Sequence, residues 1–88
     1  MTTVDSWPVE ISLNEEDGNT RAEARLARNG AGMTGHGLAR RHPEDQEVIQ
    51  IGEEIAAARA LSDLAHQLLS DAAGQIEGIT HQRAQLSL

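Results

Sequence analysis

The sequence contains no cysteine, no lysine, no phenylalanine and no tyrosine, and it has a single tryptophan. Without cysteine there is neither a disulfide framework nor a thiolate metal site. Aromatic rings bury the most area per residue, so their scarcity leaves the core to Leu, Ile, Val, Met and Ala. A chain of 88 residues is one domain near the lower end of what folds comfortably alone. The thin core therefore predicts a homodimer, with a second copy supplying part of the missing burial. No apolar run approaches the ~20 residues of a membrane span. Residues 1–8 have no basic n-region and no apolar h-region, so no signal peptide is expected and the expected location is cytoplasmic. A formal net charge of −7 with no lysine argues against DNA or an anionic membrane as partner.

The charge that is present is unevenly placed. Arg21, Arg25, Arg28, Arg40 and Arg41 fall in one window with a single acid, Glu23, while the remaining acids lie elsewhere. Around that window the patterning is that of strands. Trp7, Val9, Ile11 and Leu13 alternate with polar residues, which predicts a half-buried strand at about 7–14 with Pro8 near its start. Glu15-Glu16-Asp17-Gly18-Asn19 reads as an acidic turn. A second strand follows at about 20–28, with Ala22, Ala24 and Leu26 on one face and Arg21, Glu23 and Arg25 on the other. Asn29-Gly30 favours a two-residue type I′ hairpin into a third strand at about 32–41. That turn sets Leu26 opposite Met33, Ala24 opposite Gly35 and Ala22 opposite Gly37. The inner face is then made of small residues that let a helix backbone come close. The outer face collects Arg21, Arg25, Thr34, His36, Leu38 and Arg40.

From about residue 51 the apolar period changes to that of a helix. Ile51, Ile55, Ala58, Leu61, Ala65, Leu68, Leu69 and Ala72 form the stripe expected to cover the sheet, with Arg59, Asp63, His66, Gln67 and Ser70 opposite. Gly74 is the expected stop of this helix, 51–73. A short helix at about 75–80 follows, then a tail at 83–88, frayed or added to a partner's sheet edge. The predicted fold class is α+β: a three-stranded antiparallel sheet with one long C-terminal helix, plus the short helical turn, packed on one face.

Three constellations resemble catalytic or ligand sites. Gly30-Ala31-Gly32-Met33-Thr34-Gly35 spells G-x-G-x-x-G, but a dinucleotide site requires a helix to open there, and here a strand follows. A kinase-type glycine loop would need a lysine that this chain lacks. Asp63 and His66 have helical spacing for a shared metal, but no third ligand is placed by the sequence. Neither Ser62 nor Ser70 sits on a G-x-S-x-G elbow. No catalytic residue, metal or cofactor is therefore expected, and the chain reads as a non-enzyme.

Five segments carry a family resemblance: Thr20-Arg21-Ala22-Glu23-Ala24-Arg25-Leu26, Gly35-His36-Gly37-Leu38-Ala39-Arg40, Ile51-Gly52-Glu53-Glu54, Ala58-Arg59-Ala60-Leu61-Ser62-Asp63-Leu64 and Thr80-His81-Gln82. In these the chain resembles a group of small actinobacterial proteins of unassigned function, some of them associated with the hypoxic dormancy response. The resemblance implies a fold similar to ribosome hibernation promoting factors and double-stranded-RNA-binding-like modules, a homodimer, and a stress or dormancy role on the ribosome. It transfers no binding residues. The long helix also departs from hibernation factors, which line helical faces with Lys and Arg, because it carries Arg59 alone.

Two functions follow as expectations. In the first, Arg21, Arg25, Arg40 and Arg41, supplemented by His36, contact the phosphates of ribosomal RNA or another anionic partner. Four such contacts imply a single-strand salt slope of about −3. In the second, the same face is a protein-interaction surface, a dimer or partner contact centred on Leu38, with no nucleic-acid role.

Overall fold

A computed structural model of the chain describes residues 4–28, 30–40 and 49–88. Strands β1 (Val9–Glu16), β2 (Asn19–Arg28) and β3 (Ala31–Arg40) form an antiparallel sheet in the order β1-β2-β3, and α1 (Ile49–Thr80) follows. Both hairpins are tight because the sequence supplies residues that tolerate positive φ. Asp17 (φ 53°) and Gly18 (φ 77°) join β1 to β2, the pair of positive angles that defines a type I′ turn. Gly30 (φ 76°) lies in the second turn, and Arg28 faces Ala31 across it. The expected pairs Leu26–Met33, Ala24–Gly35 and Ala22–Gly37 are all present.

The inner face of β2 and β3 is nearly flat, and α1 lies directly on it. A Cβ added to Gly35 would come within 2.6 Å of the Leu64 amide nitrogen and closer still to the Ala60 carbonyl oxygen. One added to Gly37 would meet the Ala60 amide nitrogen at 2.5 Å and the Ala56 carbonyl oxygen nearer than that. Helix backbone therefore touches strand backbone at these two glycines. The buried apolar residues are Ala22, Ala24, Leu26, Ala39, Ala56, Ala60 and Leu64, with Met33 and Leu68 packed partly against them.

This corrects the expected orientation of the helix. Ile51, Ile55, Ala58 and Leu61 are exposed, and the row on the sheet is Ala56, Ala60 and Leu64. A branched isoleucine at the seam would hold the helix too far from Gly35 and Gly37 for the backbone contact. The small row wins because it permits closer approach and denser packing. Of the bulky stripe, Ile51, Ile55 and Leu61 are left exposed, while Leu68 packs partly against the core.

The end of the helix also differs from expectation. Instead of stopping at Gly74 and resuming as a short helix, α1 runs unbroken to Thr80. Gly74 and Gly78 are absorbed into its interior, and the stop falls at His81, whose φ is 59°. The His81 N–H donates to the Glu77 carbonyl at 2.8 Å. The Thr80 hydroxyl donates to the Ile76 carbonyl at 2.9 Å, and the Gln82 N–H donates to that hydroxyl at 3.2 Å. The first two bonds satisfy carbonyls that a helix end leaves unpaired. The tail, 83–88, forms no strand. It turns back along α1, where Ala84 and Leu86 border a hollow shared with His66, Leu69 and Ala73.

Candidate interaction surface

One face of the sheet is covered by α1 and the other is open. Strand alternation and register place Glu10, Ser12, Asn14 and Glu16 of β1, Arg21, Glu23 and Arg25 of β2, and Thr34, His36, Leu38 and Arg40 of β3 together on the open face. Arg21, Arg25, His36, Leu38 and Arg40 thus share a surface, as the sequence suggested. Arg41 lies outside the described residues. Arg28 belongs to the opposite face, where its guanidinium is 3.1 Å from Asp71 Oδ2 and 4.8 Å from the centre of the Trp7 ring.

The charge of that face is not what the linear window implied. β1 brings Glu10 and Glu16 onto it, so three arginines stand among three glutamates. Arg25 is held by Glu23 at 2.5 Å, with Glu10 at 3.7 Å, and its Nη1 donates to Ser12 Oγ at 3.3 Å. Arg21 makes no ion pair with a described residue. It lies opposite Leu38, one diagonal step from Arg40. The cationic cluster reduces to two guanidinium groups at the end of the sheet near the Asp17-Gly18 turn.

The two edges of the sheet are unlike. Ladder alternation directs the N–H and C=O of Thr34, His36 and Leu38 outward from β3, and helix side chains meet them in series. Arg59 Nη1 donates to the Leu38 carbonyl at 2.6 Å, the His36 N–H donates to Asp63 Oδ2 at 2.8 Å, and Gln67 Nε2 donates to the Thr34 carbonyl at 2.7 Å. Gln67 also donates to Asp63 at 3.2 Å. The match is geometric: four helix residues rise about 6 Å and two strand residues about 6.6–6.8 Å, so each helical turn meets the next outward group. Of the row expected on the solvated side of α1, Arg59, Asp63 and Gln67 instead seal the β3 edge, while His66 and Ser70 are exposed as expected.

On β1 the Ala27 N–H donates to the Pro8 carbonyl at 3.3 Å, which sets the alternation and turns the amides of Val9, Ile11 and Leu13 outward. Those amides have no hydrogen-bond partner among the described residues outside the ladder. The inner-face side chains of β1 are likewise uncovered, because α1 is centred over β2 and β3. Trp7, Val9, Ile11 and Leu13 keep 45, 43, 38 and 41% of their surface exposed.

The other constellations are occupied by structural work. The Asp63 carboxylate is engaged with His36 and Gln67, and His66 Nδ1 lies 2.7 Å from the Ser62 carbonyl oxygen. Among the described residues no three His, Asp or Glu side chains gather as a metal site. The G-x-G-x-x-G run leads from the turn into β3, with its last glycine under α1. No helix among the described residues is long and apolar enough to cross a membrane.

These features define a small α+β protein with a closed seam, one sealed edge and an open sheet face. The chain belongs to the Rv2632c-like family, whose pattern matches residues 5–85. It is 48% identical over 80 residues to the uncharacterized protein Mb1767 of Mycobacterium bovis, covering 91% of this chain and 85% of that protein. It is 51% identical over 74 residues to the uncharacterized protein Rv2632c of Mycobacterium tuberculosis, covering 84% and 80%. The crystal structure of Rv2632c superposes with a TM-score of 0.85 at 47% identity, covering 92% of this chain and 96% of that one.

Proposed function

We propose that the protein is a non-enzymatic, homodimeric binding module that contacts a protein partner through its open sheet face. The observation that carries this reading is the composition of that face. It is three strands wide, uncovered by α1, and sets Leu38 among balanced Arg and Glu side chains. Alternating charges around an apolar residue suit a protein surface, because each ion can find its complement while the apolar group is buried. A polyanion instead favours a face of one sign. The dimer is supported by the core: among the described residues, five of seven buried apolar residues are alanine and no large side chain is fully buried. A stress or dormancy role, which the family resemblance suggests, and a cytoplasmic location belong to the same proposal.

A second reading, contact with ribosomal RNA or another anion, is favoured by Arg21 and Arg40, which stand on the open face near one another. Two phosphate contacts would give a single-strand salt slope of about −1.4. Two variants separate the readings. Under the protein reading, a partner retained by the immobilised wild type is lost with Leu38→Glu and kept with Arg21→Ala, and nuclease has no effect. Binding to single-stranded RNA that falls with salt and is lost in Arg21→Ala would replace it with the RNA reading.

A further inference from the structure

We infer that the second copy seats in the groove between the bare inner face of β1 and the neighbouring flank of α1, away from the open sheet face. This rests on the homodimer reading above and says where the contact lies. The groove follows from how α1 is rotated. Arg59, Asp63 and Gln67 meet the β3 edge, and Ala56, Ala60 and Leu64 lie on the sheet. The next flank, bearing Leu61 and Leu68 seven residues apart, therefore overhangs β1. Its floor is Val9, Ile11 and Leu13, all on the helix side of the sheet and each more than a third exposed. Leu61, on that flank, is 42% exposed.

Area argues for a second copy as the occupant. A folded monomer of 9.5 kDa exposes about 5,000 Å² by the mass scaling of globular proteins. Summed over all 88 residues the surface is 6874 Å², roughly 1,800 Å² above that scaling. Ile76, Ile79, Leu86 and Leu88 at the far end of the chain account for part of it, and a standard dimer interface takes about 800 Å² from each partner. Among the described residues the buried core is mostly alanine, which gains little from burial on its own. A second copy is present in equal amount by definition, whereas a foreign partner is not. The contact is isologous, each copy offering its β1 face and Leu61 flank to the same surface on the other. It leaves the open face of both copies free for the partner.

Sedimentation equilibrium across protein concentration tests this. The wild type is expected as a dimer. Ile11→Glu and Leu61→Glu should each weaken association about 100-fold, as the loss of a central apolar contact does. Leu38→Glu should leave association unchanged. Because the chain has no cysteine, single Leu13→Cys and Ser12→Cys variants give an independent readout that needs no loss of folding. Cross-linking of the dimer by a short bis-maleimide, which tolerates an offset from the two-fold axis, should occur through the inner-face Leu13→Cys and not through the outer-face Ser12→Cys. A dimer broken by Leu38→Glu but indifferent to Ile11→Glu and Leu61→Glu would overturn this seat and leave the homodimer standing. A wild type that remains monomeric at all concentrations would overturn both.

Discussion

The β3 side and the β1 side of the sheet are built from the same kind of hairpin yet end differently. On the β3 side, glycines admit helix backbone, and Arg59, Asp63 and Gln67 bind the outward groups of Leu38, His36 and Thr34. On the β1 side, Val9, Ile11 and Leu13 stay half open beneath the helix flank. One row of small residues decides the difference. By drawing α1 over β2 and β3, Gly35 and Gly37 leave the first strand uncovered. An exposed edge invites pairing or association unless something covers it, so the same packing that stabilises one side prepares the other for a partner.

Substitutions rank by how directly they touch this contrast. Gly37→Ala drives a methyl into the Ala56 carbonyl and the Ala60 amide and is expected to cost about 3 kcal/mol or more, read as a lowered urea midpoint. Asp63→Ala strips the His36 N–H of its acceptor and Gln67 of the longer of its two and should cost about 2 kcal/mol. Asp63→Asn, which keeps an acceptor oxygen, should recover part of that loss in the same titration. Gly74→Ala has the opposite sign. The added methyl meets nothing within 4 Å, and the gain in helix propensity should raise stability by about 0.5–1 kcal/mol, seen as a higher melting temperature. Arg25→Ala, removing an exposed cluster on the open face, should change stability by less than about 0.5 kcal/mol. An Arg25→Ala effect as large as that of Asp63→Ala would erase the distinction between the sealed edge and the open face.

Strand order and register were legible because the turn chemistry is local. Asn29-Gly30 and the alternation of Ala22, Ala24 and Leu26 against Arg21 and Arg25 leave one pairing that keeps the small residues together. The membership of the open face followed from the same rule. Its charge did not, since counting along one window omitted Glu10 and Glu16, which arrive from β1 only after pairing. The helix orientation was hidden for a related reason. Hydrophobic periodicity ranks Ile51, Ile55 and Leu61 above alanine, whereas backbone approach at Gly35 and Gly37 selects Ala56 and Ala60. A signal was present in the spacing: Ala56, Ala60 and Leu64 repeat every four residues beside Arg59, Asp63 and Gln67, as the glycines repeat every two. The helix end was misplaced because Gly74 resembles a cap, while the positive φ fell to His81 with Thr80 closing the last turn.

Amide hydrogen exchange at His36 and Ile11 puts the contrast between the two edges to the most direct test. Both N–H groups point outward from the sheet, His36 onto Asp63 and Ile11 away from the ladder. With the dimer dissociated by Leu61→Glu, His36 should exchange far more slowly than Ile11, and Asp63→Ala should abolish the gap. Equal exchange at the two positions would contradict the sealing of β3 by the helix.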